Sequence, residues 1–481
     1  MIDSRSGHNP QESVTYYCSL LKRVVEGKRV ILAFGPAGAA ASWVKAVLDL
    51  GSLPPFVIVD ALPEPSKSIS AHPATWYGAL PSPPSEDSVG FQNYAAAIAQ
   101  PGLEMKRALD EYDPDRSALV LMTELIDVHE LAGRTRYNAR PSSWAELDDK
   151  TGIDSLWRVA GISQAPSIVI PVMSPTLRRT ARIIDRGLGT VWAGDNRGGI
   201  HFGGTLVRWV QRDEHIDEAL QFFSERCGSL RIMPFLAGLP CSIHGLVLSD
   251  EVIVFRPVEN IVLTKPGESR FFYAGTATFW DPCQGDREAI RAIGSRVGRA
   301  LAQRFKYRGF FTIDGILTTE GFLPTEMNAR MGAGVSHLAA GLPAFPLELL
   351  SAAIRAGENL DFRPSYLEDT LVQSADICRR GSAALEFQAR THTPRQYSVV
   401  FTEYGCQLAR QSAVPDGTVL CHPAGCSTFV TFIPALGRTP IGSAFSIRAA
   451  SALNLADALL ETKSGPFQAP TDVRAGLHGT G

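Results

Sequence analysis

The chain has 481 residues, 45% of them apolar, enough at ordinary domain size for about three domains. A formal charge of −3 leaves no basic footprint for nucleic acid. No apolar run approaches the ~20 residues that span a bilayer, and the polar opening Met1–Pro10 lacks the apolar core of a signal peptide. The expectation is a cytoplasmic protein that meets neither nucleic acid nor membrane. Eight cysteines (Cys18, Cys227, Cys241, Cys283, Cys378, Cys406, Cys421, Cys426) include no Cys-x-x-Cys pair, which favours reduced thiols over a disulfide framework or zinc site. Cys421-His422 with Cys426 can be argued as metal ligands, but buried, unligated side chains in a β-rich tail account for them better.

The first territory, residues 1–145, opens as an α/β unit. Residues 27–48 read as a buried strand, a Gly-containing turn and a helix. Pro54–Asp60 is a second strand and Ser117–Met122 a third, while Pro63–Pro84, rich in Pro, Ser and Ala, reads as loop. Gly35-x-x-Gly38-x-x-Ala41 lacks the Gly-x-Gly spacing of a dinucleotide fingerprint, so plain strand–helix packing explains it better.

The second territory, residues 146–360, begins with Glu146–Ile162, whose pattern predicts one amphipathic helix ending at Gly161. A small β subdomain over about 165–240 follows, entered through Pro166–Met173. Beside the apolar strand Thr190–Ala193 lies Gly194-Asp-Asn-Arg-Gly-Gly-Ile-His-Phe-Gly-Gly204, with five glycines in eleven residues. Such a tip brings backbone N–H groups close to phosphate oxygens, because Gly has no Cβ in the way. Leu230–Leu248 reads as strand, Gly turn, strand, in which Met233, Phe235 and Ile243 suit a core. Arg256 and Glu259 are either a structural ion pair or phosphate-facing, and the functional reading is adopted for Arg256 alone.

Residues 310–330, Phe-Phe-Thr-Ile-Asp-Gly-Ile-Leu-Thr-Thr-Glu-Gly-Phe-Leu-Pro-Thr-Glu-Met-Asn-Ala-Arg, read as a β-hairpin about a Thr-Thr-Glu-Gly turn. Asp314 sits in the first arm. Glu326, Asn328 and Arg330 recur at period 2 and so share a face. Two carboxylates and an amide oxygen are hard ligands of the type Mg²⁺ accepts, and an adjacent guanidinium suits phosphate or carboxylate. Asp314, Glu326 and Asn328 are therefore candidate metal ligands.

The hairpin, with Asp-Gly-Ile-Leu and then Glu-Met-Asn-Ala-Arg, resembles the metal-binding end of the ATP-grasp ligases. The loop Met331–Leu342 is similar to their D-alanine–D-alanine ligase branch, which makes Gly334 and Ser336 candidate substrate contacts. Arg256-Pro-Val-Glu259, the Gly-Asp-Asn-Arg-Gly-Gly loop and Tyr137-Asn-Ala-Arg-Pro-Ser142 look most like the branch around the peptide ligase of pheganomycin biosynthesis. The resemblance implies a pre-ATP-grasp α/β domain, then an ATP-grasp domain whose nucleotide cleft lies between two α+β subdomains. It implies ATP and Mg²⁺, with Lys150 and Gly198, Gly199, Gly203 and Gly204 on phosphates, Met233 and Phe235 at the adenine, and Arg330 and Arg256 as catalytic cations. The usual Val-Val-Lys-Pro strand is Thr190-Val-Trp-Ala193 here, without its Lys, and Thr312 stands where an Arg precedes the metal Asp.

The third territory, residues 361–481, contains strand-like runs 396–401, 417–421 and 427–433 and a closing helix at 449–460, without a motif tied to chemistry. The implied activity is an ATP-dependent carboxylate–amine ligase that forms an amide through an acyl phosphate, with an amino acid and an amine or peptide as substrates, in peptide natural-product biosynthesis. A homodimer is compatible with it. The alternatives are an ATP-grasp enzyme with another nucleophile, such as a carboxylase or thiol ligase, and a non-catalytic ATP-binding scaffold or sensor.

Overall fold

The computed structural model describes residues 10–62, 72–80, 88–196, 204–249, 251–389, 391–424 and 426–475. Near the amino end, Val30–Gly35 (β1), Phe56–Val59 (β2), Thr75–Gly78 (β3) and Leu119–Met122 (β4) form a parallel sheet in the order β3-β2-β1-β4. β1, β2 and β4 are continuous apolar runs, as parallel strands covered on both faces require. The helix Ala37–Asp49 packs on one face, and Ser88–Ala99 with Leu103–Tyr112 on the other. Strand β3 corrects the reading of Pro63–Pro84 as loop. Thr75-Trp-Tyr-Gly is extended and pairs with β2 as an edge strand, where aromatic and β-branched side chains fit despite flanking prolines. A small hairpin, Glu130–Leu131 (β5) with Arg134–Thr135 (β6), follows the sheet.

The single helix expected over 146–162 is also corrected. The chain forms short helices Ser142–Ala145 and Asp154–Val159 with a 3-10 turn at Glu146–Asp148 between them. Asp149 Oδ1 accepts from the backbone N–H and the hydroxyl of Thr151, both at 2.8 Å, a local bond that competes with the helical ladder. The break turns Asp148 and Lys150 toward a cleft rather than along a solvated helix.

That cleft lies between two antiparallel sheets. The smaller contains Ile168–Pro171 (β7), Thr190–Gly194 (β8), Val207–Val210 (β9) and Ser229–Pro234 (β10), ordered β7-β10-β8-β9. The larger contains Leu239–Val247 (β11), Val252–Val254 (β12), Val258–Leu263 (β13), Phe272–Ala277 (β14), Gly309–Thr318 (β15) and Gly321–Asn328 (β16), ordered β14-β13-β11-β15-β16 with β12 paired to β11. Alternation along β11, β15 and β16 decides which side chains meet the cleft. Cys241, Ile243, Ile313, Leu317 and Met327 face a core shared with Ile290, Val297 and Leu301 of the helix Gln284–Phe305. Ser242, His244, Thr312, Asp314, Glu326 and Asn328 face the cavity.

At the carboxyl end, Ala383–Phe387 (β17), Arg395–Thr402 (β18), Gly405–Leu408 (β19), Gly417–Ala424 (β20) and Ser427–Pro434 (β21) form an antiparallel sheet ordered β17-β21-β20-β18-β19. The helix Ser446–Leu460 closes it, through a core that takes in Ile261 and Leu263 of β13. Among the described residues, no helix is long and apolar enough to cross a membrane.

Candidate active site

A cavity of about 620 Å³ opens between the two antiparallel sheets and reaches the carboxyl ends of β1 and β4. Asp314 lies at its floor. Register places Asp314 between Ser242 of β11 and Glu326 of β16, with Thr312 opposite Asn328. Ser242 Oγ donates a short hydrogen bond to Asp314 Oδ1, Asn260 Nδ2 donates to the same oxygen at 3.3 Å, and Asn328 Nδ2 donates to Oδ2 at 2.9 Å. Lys150 Nζ lies 3.0 Å from Glu326 Oε2. Five side chains named from the sequence, Lys150, Asp314, Glu326, Asn328 and Arg330, thus line one cavity.

Two carboxylates, Asp314 and Glu326, face each other across the β15–β16 ladder at the floor. Like charges directly opposite across an antiparallel pair repel. Burial first, and Glu326 second, push the Asp314 carboxyl up to about 7. Burial acts to raise Glu326 as well, but the Lys150 ammonium and its hydrogen bond hold that group below its usual range. Among the described residues, no three His, Cys, Asp or Glu side chains gather into a metal cage, Cys421 and His422 included. The floor offers two carboxylates and an amide, a hard and incomplete oxygen set of the sort that Mg²⁺ fills out with phosphate oxygens and water.

Arg330 is held by Asp148, whose Oδ1 lies 2.9 Å from Arg330 Nη1 and accepts from the Ala329 N–H at 2.7 Å. Asp148 Oδ2 accepts from the buried Arg140 Nη1 at 2.8 Å. Asp148 therefore sets both the backbone before Arg330 and its guanidinium. The next residue is fixed in a similar way, because the Met331 N–H donates to Glu124 Oε2 at 2.8 Å while Arg355 holds Glu124 Oε1 at 2.8 Å. Gly332 and Gly334 follow because nothing larger fits: a Cβ at Gly332 would come within 2.5 Å of Thr312 Oγ1, and one at Gly334 within 2.6 Å of His244 Nε2.

Other expected residues fall elsewhere. Arg256 is a correction: it is fully buried and lies outside the cavity lining, with Nη2 2.6 Å from Asp281, Nη1 3.0 Å from Asp376, and a bond to the Trp280 carbonyl at 2.8 Å. Two carboxylates saturate it, so its charge is spent on structure. Its former ion-pair candidate, Glu259, instead accepts from the Phe445 and Ser446 N–H groups at 2.7 and 2.8 Å, at the start of the closing helix. Met233 is buried off the lining, with its sulfur 3.8 Å from Arg231 Nη1. Phe235 stacks on Trp209 at 4.2 Å and lies 6.5 Å from Phe271; Phe271 lines the cavity and Phe235 backs it. Gly334 lines the cavity, whereas Ser336 is exposed and donates to the Ala333 carbonyl. Gly204 lines the cavity, and Gly198, Gly199 and Gly203 lie outside the described residues.

Sequence reading missed Asp148, Glu124, Ser242 and Asn260. Ser242 and His244 stand two apart among the apolar residues of β11, and that period-2 polar pair was a usable signal. Asp148 and Glu124 act through contacts distant in sequence and gave none.

No family model and no curated protein matches the sequence. Solved structures do match over nearly the whole chain. One is the N5-carboxyaminoimidazole synthase of Aspergillus clavatus in complex with ADP and 5-aminoimidazole ribonucleotide, at TM-score 0.52 and 13% identity, covering 90% of this chain and 99% of that one. The chain has the ATP-grasp fold. The biotin carboxylase domain of the 2-oxoglutarate carboxylase of Hydrogenobacter thermophilus, with MgADP and bicarbonate, matches at TM-score 0.52 and 16% identity over 92% of this chain and 91% of that one. The L-amino acid ligase of Bacillus licheniformis matches at 0.50 and 13% over 92% and 98%. In this ATP-grasp fold the cavity occupies the space between the two antiparallel sheets, and Asp314, Glu326, Asn328, Arg330 and Lys150 stand on its floor and sides.

Proposed function

We propose that this chain is an ATP-dependent, Mg²⁺-requiring ligase that joins a carboxylate to an amine as an amide, with release of ADP and phosphate. The observation that carries the reading is the convergence of Asp314, Glu326, Asn328, Lys150 and Arg330 on one cleft between two sheets. A carboxylate is a poor electrophile, and moving a phosphoryl group onto one of its oxygens makes it reactive but concentrates negative charge. Asp314, Glu326 and Asn328 would hold Mg²⁺, which supplies neutralisation of phosphate oxygens. Lys150, released from Glu326, binds phosphate. Arg330, oriented by Asp148, steadies the transferred group and the oxyanion formed when the amine adds to the acyl phosphate. The apolar end of the cavity, at Val207, Val262, Phe271 and Ile316, suits a nucleobase in place of Met233 and Phe235. Exclusion of water protects the acyl phosphate, and Gly204 lines the cavity.

The finer form of the proposal is peptide-bond formation in natural-product biosynthesis, by a homodimer near the pheganomycin peptide ligase branch. Two residues that carry that likeness support it: Asn138 lines the cavity and Arg140 holds Asp148. A second reading takes bicarbonate as the carboxyl source, and two of the similar structures, a carboxyaminoimidazole synthase and a biotin carboxylase domain, favour it. One experiment separates the readings: ADP release with amino acids singly and in pairs, with and without bicarbonate, followed by mass analysis of the product. Amide formation that Glu326→Gln abolishes supports the ligase. Carboxylated product supports the second reading, and absence of ADP under every condition leaves an ATP-binding module. Turnover retained in Glu326→Gln removes the metal assignment.

A further inference from the structure

The cavity has a second end, which the reaction chemistry does not use. It meets the carboxyl ends of β1 and β4, neighbours in the order β3-β2-β1-β4. The helix after β1 covers one face of that sheet and the helices before β4 the other, so their loops part at this point and leave a crevice. Phe34, at the end of β1, and Trp43, on the following helix, stack with ring centroids 4.5 Å apart and planes at 21°, and both stand open to the cavity. Leu125 beyond β4 and Met331 beside Arg330 complete an apolar corner. Leaving two large rings part-covered forgoes burial that a ligand can restore.

Apart from Asp314 on the floor, the carboxylates lining the cavity are paired with cations among the described residues, with the exception of Glu348. Glu124 is held by Arg355 and the Met331 N–H, Asp148 by Arg140 and Arg330, and Glu326 by Lys150. Glu348, in the first turn of the helix Leu347–Ala356, lines the cavity, is exposed to solvent, and forms no ion pair with a Lys or Arg among the described residues.

We infer that this end is the side-chain pocket of the carboxylate substrate, and that the substrate is an α-amino acid with a bulky apolar or aromatic side chain. Its carboxylate lies toward Arg330, its ammonium meets Glu348, and its side chain rests on Phe34 and Trp43 beside Met331. The inference rests on the ligase reading and narrows it to a substrate class. A long cationic side chain would also stack on these rings, but it would bring a second positive charge to a wall with one free carboxylate.

Calorimetric titration of the full chain, with Mg²⁺ and a non-hydrolysable ATP analogue present, tests it. The ligands are both enantiomers of phenylalanine, tryptophan and leucine against glycine, alanine, aspartate and arginine, with 3-phenylpropionate as the ligand that lacks an ammonium. One enantiomer of the bulky apolar amino acids binds at least about 10-fold tighter than glycine or alanine, the scale of a few added methylenes in an apolar pocket. Trp43→Ala removes that margin while affinity for the ATP analogue stays unchanged. Trp43→Leu and Met331→Ala, which disturb packing less, narrow it. Glu348→Gln weakens amino acids about 10-fold and leaves 3-phenylpropionate unaffected. Preference for glycine, alanine, aspartate or arginine overturns the inference, as does a margin indifferent to all three pocket variants. ADP release keeps the two levels apart. Turnover confined to small polar amino acids leaves the ligase standing without this pocket, and tight binding of phenylalanine without ADP from any amine leaves the pocket standing without the ligase.

Discussion

Replacing Asp314 with Asn should separate folding from function at the cleft floor. The carboxylate faces Glu326 across the β15–β16 ladder, and burial with that neighbour raises its pKa from 3.8 to about 7. The folded value lies above the unfolded one, so the fold favours the protonated carboxyl. This group's contribution is intact below about pH 4 and lost as pH rises through about 7. With the opening onto the cavity and the charge shared with Glu326, the effect is on the order of 2 kcal/mol. Asn keeps the acceptor that Ser242 and Asn260 bond, and Asn328 satisfies the new amide by turning its own oxygen toward it. Asp314→Asn should therefore melt a few degrees above wild type at pH 8 and level with it near pH 4, in thermal unfolding without nucleotide. The same variant should lose the added stability that Mg²⁺ and ATP give wild type, and turnover by about 10²-fold or more. A melting point well below wild type at pH 8 refutes the reasoning, because the carboxylate would then be a net stabiliser. An undiminished Mg²⁺–ATP shift refutes the metal assignment.

Other perturbations read other parts of the argument. Arg256→Met removes one cation from Asp281 and Asp376, which keep Arg379 and Arg287, and leaves the Trp280 carbonyl without its donor; it should cost ~1–3 kcal/mol in denaturant unfolding, while KM for ATP of the folded fraction stays at the wild-type value. Gly332→Ala drives a Cβ against Thr312 and should cost ~1–3 kcal/mol, with kcat falling more than KM because the loop carries Arg330 out of line. Burial pushes His244 down to about 3. Its neutral ring therefore contributes stability above about pH 6.5 that is lost as pH falls toward 3, and His244→Gln should flatten the acid limb of a melting-temperature profile.

Much of the fold was legible because its signals are local. Apolar runs marked β1, β2 and β4, strand-like runs marked β18, β20 and β21, and the hairpin 309–328 announced its turn and its polar face together. The errors have local causes too. Prolines around Thr75–Gly78 hid an edge strand, because edge pairing depends on a partner and not on the flanks. An amphipathic pattern over 146–162 hid a break that the Asp149 side chain makes. Arg256 looked functional because an Arg after a strand carries no mark of its partners, and both partners lie more than twenty residues away.

The chain by itself determined that Asp314, Glu326 and Asn328 would share one face of one hairpin, because β geometry turns sequence spacing into direction. Only the tertiary structure decided that Asp148 orients Arg330, that Ser242 and Asn260 steady Asp314, and that Phe34 and Trp43 close the far end of the same cavity. Those relations join segments tens to hundreds of residues apart. Packing and buried charge pairing settle which of the many such encounters survive, and no short pattern encodes that competition.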